Sequence, residues 1–145
     1  MIIERWPGKA GVVAVRALTP AEQQRFNAGR EIYGNLFVAC HQPTGVGADK
    51  IAPPLVGSAL LEGGAGRAVR ILVHGKEAPV GLMPRLGQVF NDDQIAQVLT
   101  YVRRSWGNAA DPVAPSVVQQ IRSQLPARSR PWTNDELAAL PANAR

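Results

Sequence analysis

The sequence NLFVACHQPTGVG, residues 35–47, places the single cysteine of the chain, Cys40, directly before His41. Thiolate and imidazole groups both bind metals, and a thiolate also reacts covalently. The pair follows a segment with helical periodicity and precedes a long run that is rich in glycine and proline. A lone cysteine is most often a small buried apolar residue. The pair is therefore either an ordinary junction between helix and loop or part of a ligand-binding site.

The residues before the pair predict a helix. Thr19 can cap it, Pro20 suits its first position, and Glu22 completes a capping box. Gly34 and Asn35 are expected to end this helix, because both residue types are common at helix termini. Residues of one helical face recur through the segment: Phe26, Gly29, Tyr33 and Leu36.

Glycines and prolines interrupt residues 41–66, so this segment is predicted to be a long loop. Such a loop inside a small domain suits the wrapping of a ligand. A short helix is predicted within residues 66–75, and Gly75 suits its C-terminal end. Residues 76–90 form a second predicted loop, again broken by proline and glycine.

The strongest predicted helix lies within residues 91–108. Asn91 caps it and Gln94 completes its capping box, while Gly107 and Asn108 are expected to stop it. An apolar stripe at helical spacing predicts the buried face: Ile95, Val98, Leu99, Val102 and Trp106.

Changes in composition divide the chain into three predicted parts: an irregular N-terminal segment, 1–18, a main domain, 19–108, and a C-terminal extension, 109–145. The first part includes a β-prone piece at residues 12–15. The extension has one predicted helix near residues 115–125 and a short one capped by Thr133.

The composition limits the classes of function. A chain of 145 residues with 46% apolar content suits one globular domain with an extension. A single cysteine excludes an internal disulfide and a zinc site built mainly from thiolates. No apolar run is long enough to span a membrane, and no secretory signal is visible at the start. The net charge of +5 is spread out, without a basic run interleaved with aromatics, so nucleic acid is not an expected partner. The charge suits a solvated basic surface, or steering toward an acidic partner.

Cys40 and His41 are also the end of C-x-x-C-H, the motif that attaches c-type haem, with Phe37 in place of the first cysteine. Haem is a flat apolar plate that a small chain encloses with long loops, and its iron takes an axial ligand on each face. His41 can supply one ligand while Cys40 bonds to a vinyl group. Met83 is the candidate for the opposite face. His74, the second histidine, is the alternative ligand.

Met83 lies in the sequence GLMPRLG, where Pro84 restricts it to an extended conformation. Gly81 and Gly87, on either side, are expected to let the backbone approach the haem closely. A thioether favours reduced iron and fills the sixth coordination position, which suits electron transfer.

The following motifs occur in order within residues 19–108: GREIY, CHQPTGVG, APPLVGS, ILVHG, LMPRLG and DDQIAQVLTYVRRSWGN. In this order they resemble class I cytochrome c domains. The resemblance implies an all-α fold of three to four helices wrapped around one haem with long Gly/Pro-rich loops. Residues 109–145 would add a C-terminal helical extension. It also implies that the first and last helices cross at Gly29, that the Pro54 carbonyl accepts a hydrogen bond from His41, and that Leu55 packs on the haem face.

The motif MPRLG, the last helix and the tail PVAPSVVQQIRSQ…RPWTNDELAAL resemble more closely the cytochrome c domains of bacterial quinoprotein dehydrogenases that act on sugars or alcohols. This resemblance implies an electron carrier, not an enzyme. It would accept electrons from a quinoprotein dehydrogenase and pass them to a respiratory-chain acceptor. It also implies a periplasmic or exported location, because covalent haem attachment takes place outside the cytoplasmic membrane.

Phe37 is the departure from the resemblance, since it leaves Cys40 as the one residue that can form a thioether. Three states stay open: one haem c held by a single thioether, haem held without a covalent bond, or a haem-free domain that acts as a structural or interaction module. In the first two states Phe37 can lie against the porphyrin edge. A peroxidase-like enzyme is disfavoured, because Met83 would fill the open iron position and the loops lack an acid/base pair.

Overall fold

A computed structural model describes residues 15–77, 81–141 and 143–144 of the chain. Most of the β-prone piece expected at residues 12–15, and most of the N-terminal segment 1–18, lie outside the described residues. Within the described ranges the fold is helical, and the predicted all-α class is confirmed. The helices are α1 Pro20–Ile32, α2 Val38–His41, α3 Gly66–His74, α4 Asp92–Arg103, α5 Pro115–Gln124 and α6 Asn134–Ala138. A π-helical turn, Tyr33–Phe37, joins α1 to α2, and β1 Lys76–Glu77 pairs antiparallel with β2 Leu82–Met83.

Side-chain caps start three of these helices where the sequence predicts them. Thr19 before α1, Asn91 before α4 and Thr133 before α6 each accept from a backbone N–H three residues on, and each completes a capping box. Such caps satisfy backbone donors that have no partner within the helix. They depend on side chains a few residues apart, which is why the sequence alone reveals them.

Helices α1 and α4 cross at Gly29. A Cβ on this residue would overlap the carbonyl oxygen of Gln97 and lie 2.9 Å from the Cβ of Tyr101. Aromatic rings continue the contact on both sides, with centroids 5.0 Å apart for Phe26 and Tyr101 and 5.3 Å apart for Tyr33 and Tyr101. The glycine therefore sets how closely the two longest helices approach, as the resemblance implied.

The first helix does not end at Gly34 and Asn35, contrary to the sequence prediction. The Val38 N–H bonds to the carbonyl of Tyr33, five residues earlier, so the chain passes through a π-turn and continues helically to His41. The turn keeps Tyr33 and Phe37 buried on one side. Gly34 and Asn35 are exposed, and both residue types have low helix propensity. The helix continues through them because the buried residues on either side favour it.

Helix α4 ends at Arg103, earlier than predicted, and Trp106 lies beyond it with φ of 57°. Its indole N–H donates to the Pro43 carbonyl over 3.0 Å. The Asn108 side chain donates to the carbonyls of Val102 and Leu55. These bonds join the end of α4 to the loop after the Cys-His pair, so tertiary contacts override the helical pattern here.

The C-terminal extension packs on α3 and α4 and adds to the same core. Val113, Val118 and Ile121 are buried in the main hydrophobic cluster. Arg103 is 2% exposed, and its guanidinium donates to carbonyls on both sides of this contact, those of Leu61, Gly63 and Asp111. The extension therefore covers part of α3 and α4. A boundary at residues 108 and 109 stays a prediction.

Candidate haem site

An apolar cavity of about 200 Å³ opens between the Cys-His pair, the loop after it and the Met83 strand. Most of the lining side chains are apolar: leucines and prolines of the loops, together with residues of α3 and α4. The six site residues named from the sequence all line this one cavity: Phe37, Cys40, His41, Pro54, Leu55 and Met83. The fold therefore brings together residues that are distant in the chain.

Phe37, in the position of the missing cysteine, is a packed side chain and is 7% exposed. Its ring stacks on Tyr33 at 6.0 Å between centroids, lies 6.3 Å from Phe90 and lies 6.5 Å from the ring of His41. Aromatic contacts of this kind add to the energy of burial. The residue therefore helps to build the wall of the cavity.

Cys40 is a free thiol and is exposed, on the last turn of α2, while it also lines the cavity. The interpretation of Cys40 as a buried apolar residue is therefore wrong. The residue therefore borders both the cavity and solvent.

His41 is buried at the end of α2, and its Nδ1 lies 3.3 Å from the carbonyl oxygen of Pro53. That carbonyl accepts, so Nδ1 carries the proton and Nε2 keeps its lone pair. Burial lowers the pKa of His41, and the bond to Pro53 opposes this in part. A neutral imidazole with a free Nε2 is the form that binds a metal.

The partner of His41 is Pro53, which corrects the expected Pro54. Two contacts fix the register of this loop: the Leu55 N–H donates to the Gly45 carbonyl over 2.7 Å, and Ala48 pairs with Ala52. Successive carbonyls of an extended chain point in opposite directions. With that register, the Pro53 carbonyl faces His41. Pro54 still lines the cavity, but it makes no hydrogen bond with the imidazole in the described structure.

Met83 lies half-buried on β2, opposite Lys76 of β1. The flanking glycines lie against the protein's own backbone, and their expected closeness to a haem stays a prediction. A Cβ on Gly81 would overlap the Ile51 carbonyl, and a Cβ on Gly87 would lie 2.9 Å from the Val73 carbonyl. Both glycines therefore allow close packing of protein on protein.

His74 is buried at the end of α3, and it is not among the residues that line the cavity. Its ring lies 6.3 Å from that of Trp132 in the extension. Burial lowers the pKa of His74, and the charges of Arg85, Arg128 and Arg122 lower it further. The structure therefore does not bring the two histidines together as a pair of ligands.

The donors around the cavity fit a haem better than a bare metal ion. In the described part of the chain, no group of three or more His, Cys, Asp or Glu side chains could hold an ion. The cavity instead offers one imidazole nitrogen and one thioether sulfur within an apolar wall, and these are donors that haem iron takes. No described helix is both long and apolar enough to cross a bilayer.

Comparison with known proteins also points to a haem protein. No protein-family model matches the chain. The chain is 28% identical over 106 residues to the cytochrome c subunit of alcohol dehydrogenase (quinone) from Gluconobacter oxydans, covering 67% of this chain and 22% of that protein. It is 33% identical over 94 residues to the gluconate 2-dehydrogenase cytochrome c subunit of Pantoea cypripedii, covering 57% and 21%. It is 28% identical over 116 residues to the cytochrome c subunit of alcohol dehydrogenase (quinone) from Gluconacetobacter polyoxogenes, covering 73% and 25%.

The all-α fold and these relatives support a cytochrome c-like domain. The relatives are themselves named as cytochrome c subunits of dehydrogenases. The chain spans only about a quarter or less of the length of each relative that it matches.

Proposed function

We propose that this chain is an electron-transfer haem protein, a one-electron carrier with a single haem c in the cavity. Cys40 forms one thioether, and His41 and Met83 are the axial ligands. The observation that carries the proposal is the convergence of these three residues on one apolar cavity.

The residues of the chain have separate roles in this proposal. The Pro53 carbonyl orients His41 and fixes its tautomer, so that Nε2 is free to bind. Phe37 and Leu55 exclude water and supply apolar contact to a porphyrin. Bound haem would supply a one-electron couple, whose potential a methionine ligand raises. Two protein ligands leave no open position for a substrate, which favours a carrier over an enzyme.

The relatives suggest the partners. Two of them are named as subunits of quinone-linked alcohol dehydrogenases. We propose a quinoprotein dehydrogenase as the electron donor and a respiratory-chain acceptor, in the periplasm or another exported location.

The test is a visible spectrum of the full chain produced in cells that mature c-type cytochromes. A Soret band, and an α band that sharpens with dithionite, are expected. Haem should remain with the chain through acid-acetone extraction, and the Cys40→Ala variant should lose it in that step. A folded parent without haem absorbance would contradict the proposal.

A haem-free interaction module is the second candidate, because Phe37 already fills the position of the missing cysteine with buried aromatic contacts. It predicts a colourless folded chain in which Cys40 is alkylated readily. The same purified sample distinguishes the two functions.

Replacing the ligands separates their roles. His41→Ala should abolish axial ligation from the helix, and Met83→Ala should change the spin state and lower the potential while haem stays on Cys40. An unchanged spectrum and potential in Met83→Ala would show that Met83 is not a ligand.

A further inference from the structure

Met83 lies in the smallest element of the fold. The Met83 hairpin, defined as β1 and β2, has two residues in each strand. Isolated two-stranded hairpins are marginally stable in water, even when they are longer. Leu82 next to Met83 is 63% exposed, so burial of that side chain does not hold the strand in place. The hairpin therefore needs support from elsewhere.

That support comes from residues 128–132 of the C-terminal extension. The Glu77 N–H donates to the Trp132 carbonyl over 3.0 Å, and the Trp132 N–H donates to the Gly75 carbonyl over 2.9 Å. Trp132 thus pairs in parallel with Lys76, on β1. Two residues after Met83, the Arg85 guanidinium donates to the Ser129 carbonyl over 3.2 Å. The segment therefore binds the chain on both sides of Met83.

The Trp132 side chain is itself held between two elements. The Arg128 guanidinium carbon lies 3.8 Å from the centroid of the indole, and the His74 ring lies 6.3 Å away. Trp132 is 9% exposed. Arg128 also forms a bidentate pair with Glu136 in the capping box of α6. These contacts anchor the segment to α3 of the main domain and to α6 of the extension.

We propose that residues 128–132 clamp the Met83 hairpin, and that Trp132 and Arg85 are positioning residues which hold Met83 at the cavity. The inference rests on the proposed function, because it takes Met83 as the iron ligand. It gives the extension a role in the redox site, although Trp132 does not line the cavity.

The first measurement is amide hydrogen exchange on the full chain as isolated. The Glu77 amide reports the clamp, because its acceptor is Trp132, and the Leu86 amide is an internal control, because its acceptor is Leu72 of α3. Trp132→Ala and Arg85→Ala should each speed hydrogen exchange at the Glu77 amide by about tenfold. Each variant removes a contact that holds the segment against the hairpin, and losing the free energy of one or two hydrogen bonds changes the exchange rate by about this factor. Leu86 should change little. Trp132→Phe should restore slow exchange in part, since it keeps a ring beneath Arg128.

Val118→Ala is the matched control variant. It removes buried volume from α5 in the same extension, but the hydrogen bonds that support the hairpin come from Trp132 and Ser129, not from this residue. Its global stability should fall while local exchange at Glu77 keeps the parent rate. If Val118→Ala accelerates Glu77 as much as Trp132→Ala does, the effect is one of overall stability and the clamp is wrong.

The second measurement uses the haem-loaded chain. The parent should show the far-red absorbance band of ferric iron bound to methionine. Trp132→Ala should weaken that band and lower the midpoint potential, because methionine ligation raises the potential. Unchanged exchange at Glu77 overturns the clamp, and faster exchange with an unchanged band overturns its role in positioning Met83. A haem-loaded parent without the band has a different meaning: it overturns Met83 ligation in the proposed function, and the positioning role with it.

Discussion

The two walls of the cavity are built in different ways. The helical wall, residues 37–41, ends a long helix that crosses α4 and carries a cluster of stacked rings. The hairpin wall, which is the Met83 hairpin, has two-residue strands and takes its hydrogen bonds from the far end of the chain. One wall is held by dense packing, and the other by a few bonds to Trp132 and Ser129.

This difference predicts how each wall responds to change. A defect in the helical wall should cost the stability of the whole fold, because its residues belong to the core. A defect in the hairpin wall should cost less stability, and its main effect should be on the position of Met83. Elements with few buried apolar contacts open locally, at a lower free energy than global unfolding.

Gly29→Ala should have the largest effect, about 4 kcal/mol of unfolding free energy. The new Cβ would overlap the backbone of Gln97, which a side-chain rearrangement cannot relieve. Urea unfolding of the purified chain measures this loss. Gly34→Ala is the control, since nothing lies within 4 Å of its Cβ position. It should be neutral or slightly stabilising, and equal losses in both variants would contradict the importance of the helix crossing.

Phe37→Ala should destabilise the fold by about 3 kcal/mol, because it empties a buried position among Tyr33, Phe90 and His41. Phe37→Cys should lose part of this packing but restore the complete C-x-x-C-H motif. Mass spectrometry after haem extraction, together with the pyridine haemochrome spectrum, distinguishes one thioether from two. If Phe37→Cys still carries a single thioether, position 37 does not face a vinyl group.

Gly75→Ala tests the hairpin wall, with an expected loss of about 2 kcal/mol. Gly75 has φ of 83°, and a Cβ there would lie 2.5 Å from the carbonyl oxygen of Met83. The stability loss should therefore be smaller than for Gly29→Ala, while exchange at the Glu77 amide and the potential of the haem-loaded chain change more. The reverse order would mean that the two walls do not differ as described.

Acid should loosen the hairpin wall, and this effect should be smaller than that of any of the three substitutions above. A hydrogen bond from Arg128 holds the pKa of Glu136 at about 2, below its ordinary value of 4.5. Because the folded-state pKa is the lower one, this carboxylate stabilises the fold above the ordinary value and loses that contribution as the pH falls toward about 2. Exchange at Glu77, corrected for intrinsic rates, should increase over that range. Glu136→Gln should remove most of the dependence.

Glu22→Gln is the matched control for the acid prediction. A hydrogen bond from Arg16 likewise holds the pKa of Glu22 at about 2, but on α1. This variant should leave the pH dependence at Glu77 unchanged. An equal response in both variants would show that acid acts on the whole chain.

The sequence was informative wherever a feature depends on near neighbours. The capping boxes at Thr19 and Asn91 and the cap at Thr133 were predicted, because each is made by residues three positions apart. Pro53 was missed, because the register of its loop is set by hydrogen bonds between loop residues that no local pattern pairs, such as Leu55 and Gly45. Trp132 was missed for the same reason, since no local pattern links it to β1.

The predicted end of the first helix was wrong for another physical reason. A glycine and an asparagine usually signal termination, but their signal is weak when packing on either side favours continuation. Here the buried rings of Tyr33 and Phe37 flank the exposed Gly34 and Asn35. Packing of the hydrophobic core therefore overrides the preference of Gly34 and Asn35 for ending a helix.

The π-turn also sets the angular phase of everything that follows it. An α-helix turns by about 100° per residue, so a turn that contains one extra residue rotates the next segment by that angle. If residues 33–37 formed ordinary α-helix with Asn35 kept, Cys40 and His41 would lie about 100° further round the helix axis relative to the cavity. The motif would be unchanged in sequence but its side chains would point elsewhere, so the backbone conformation before a Cys-His pair matters as much as the pair itself.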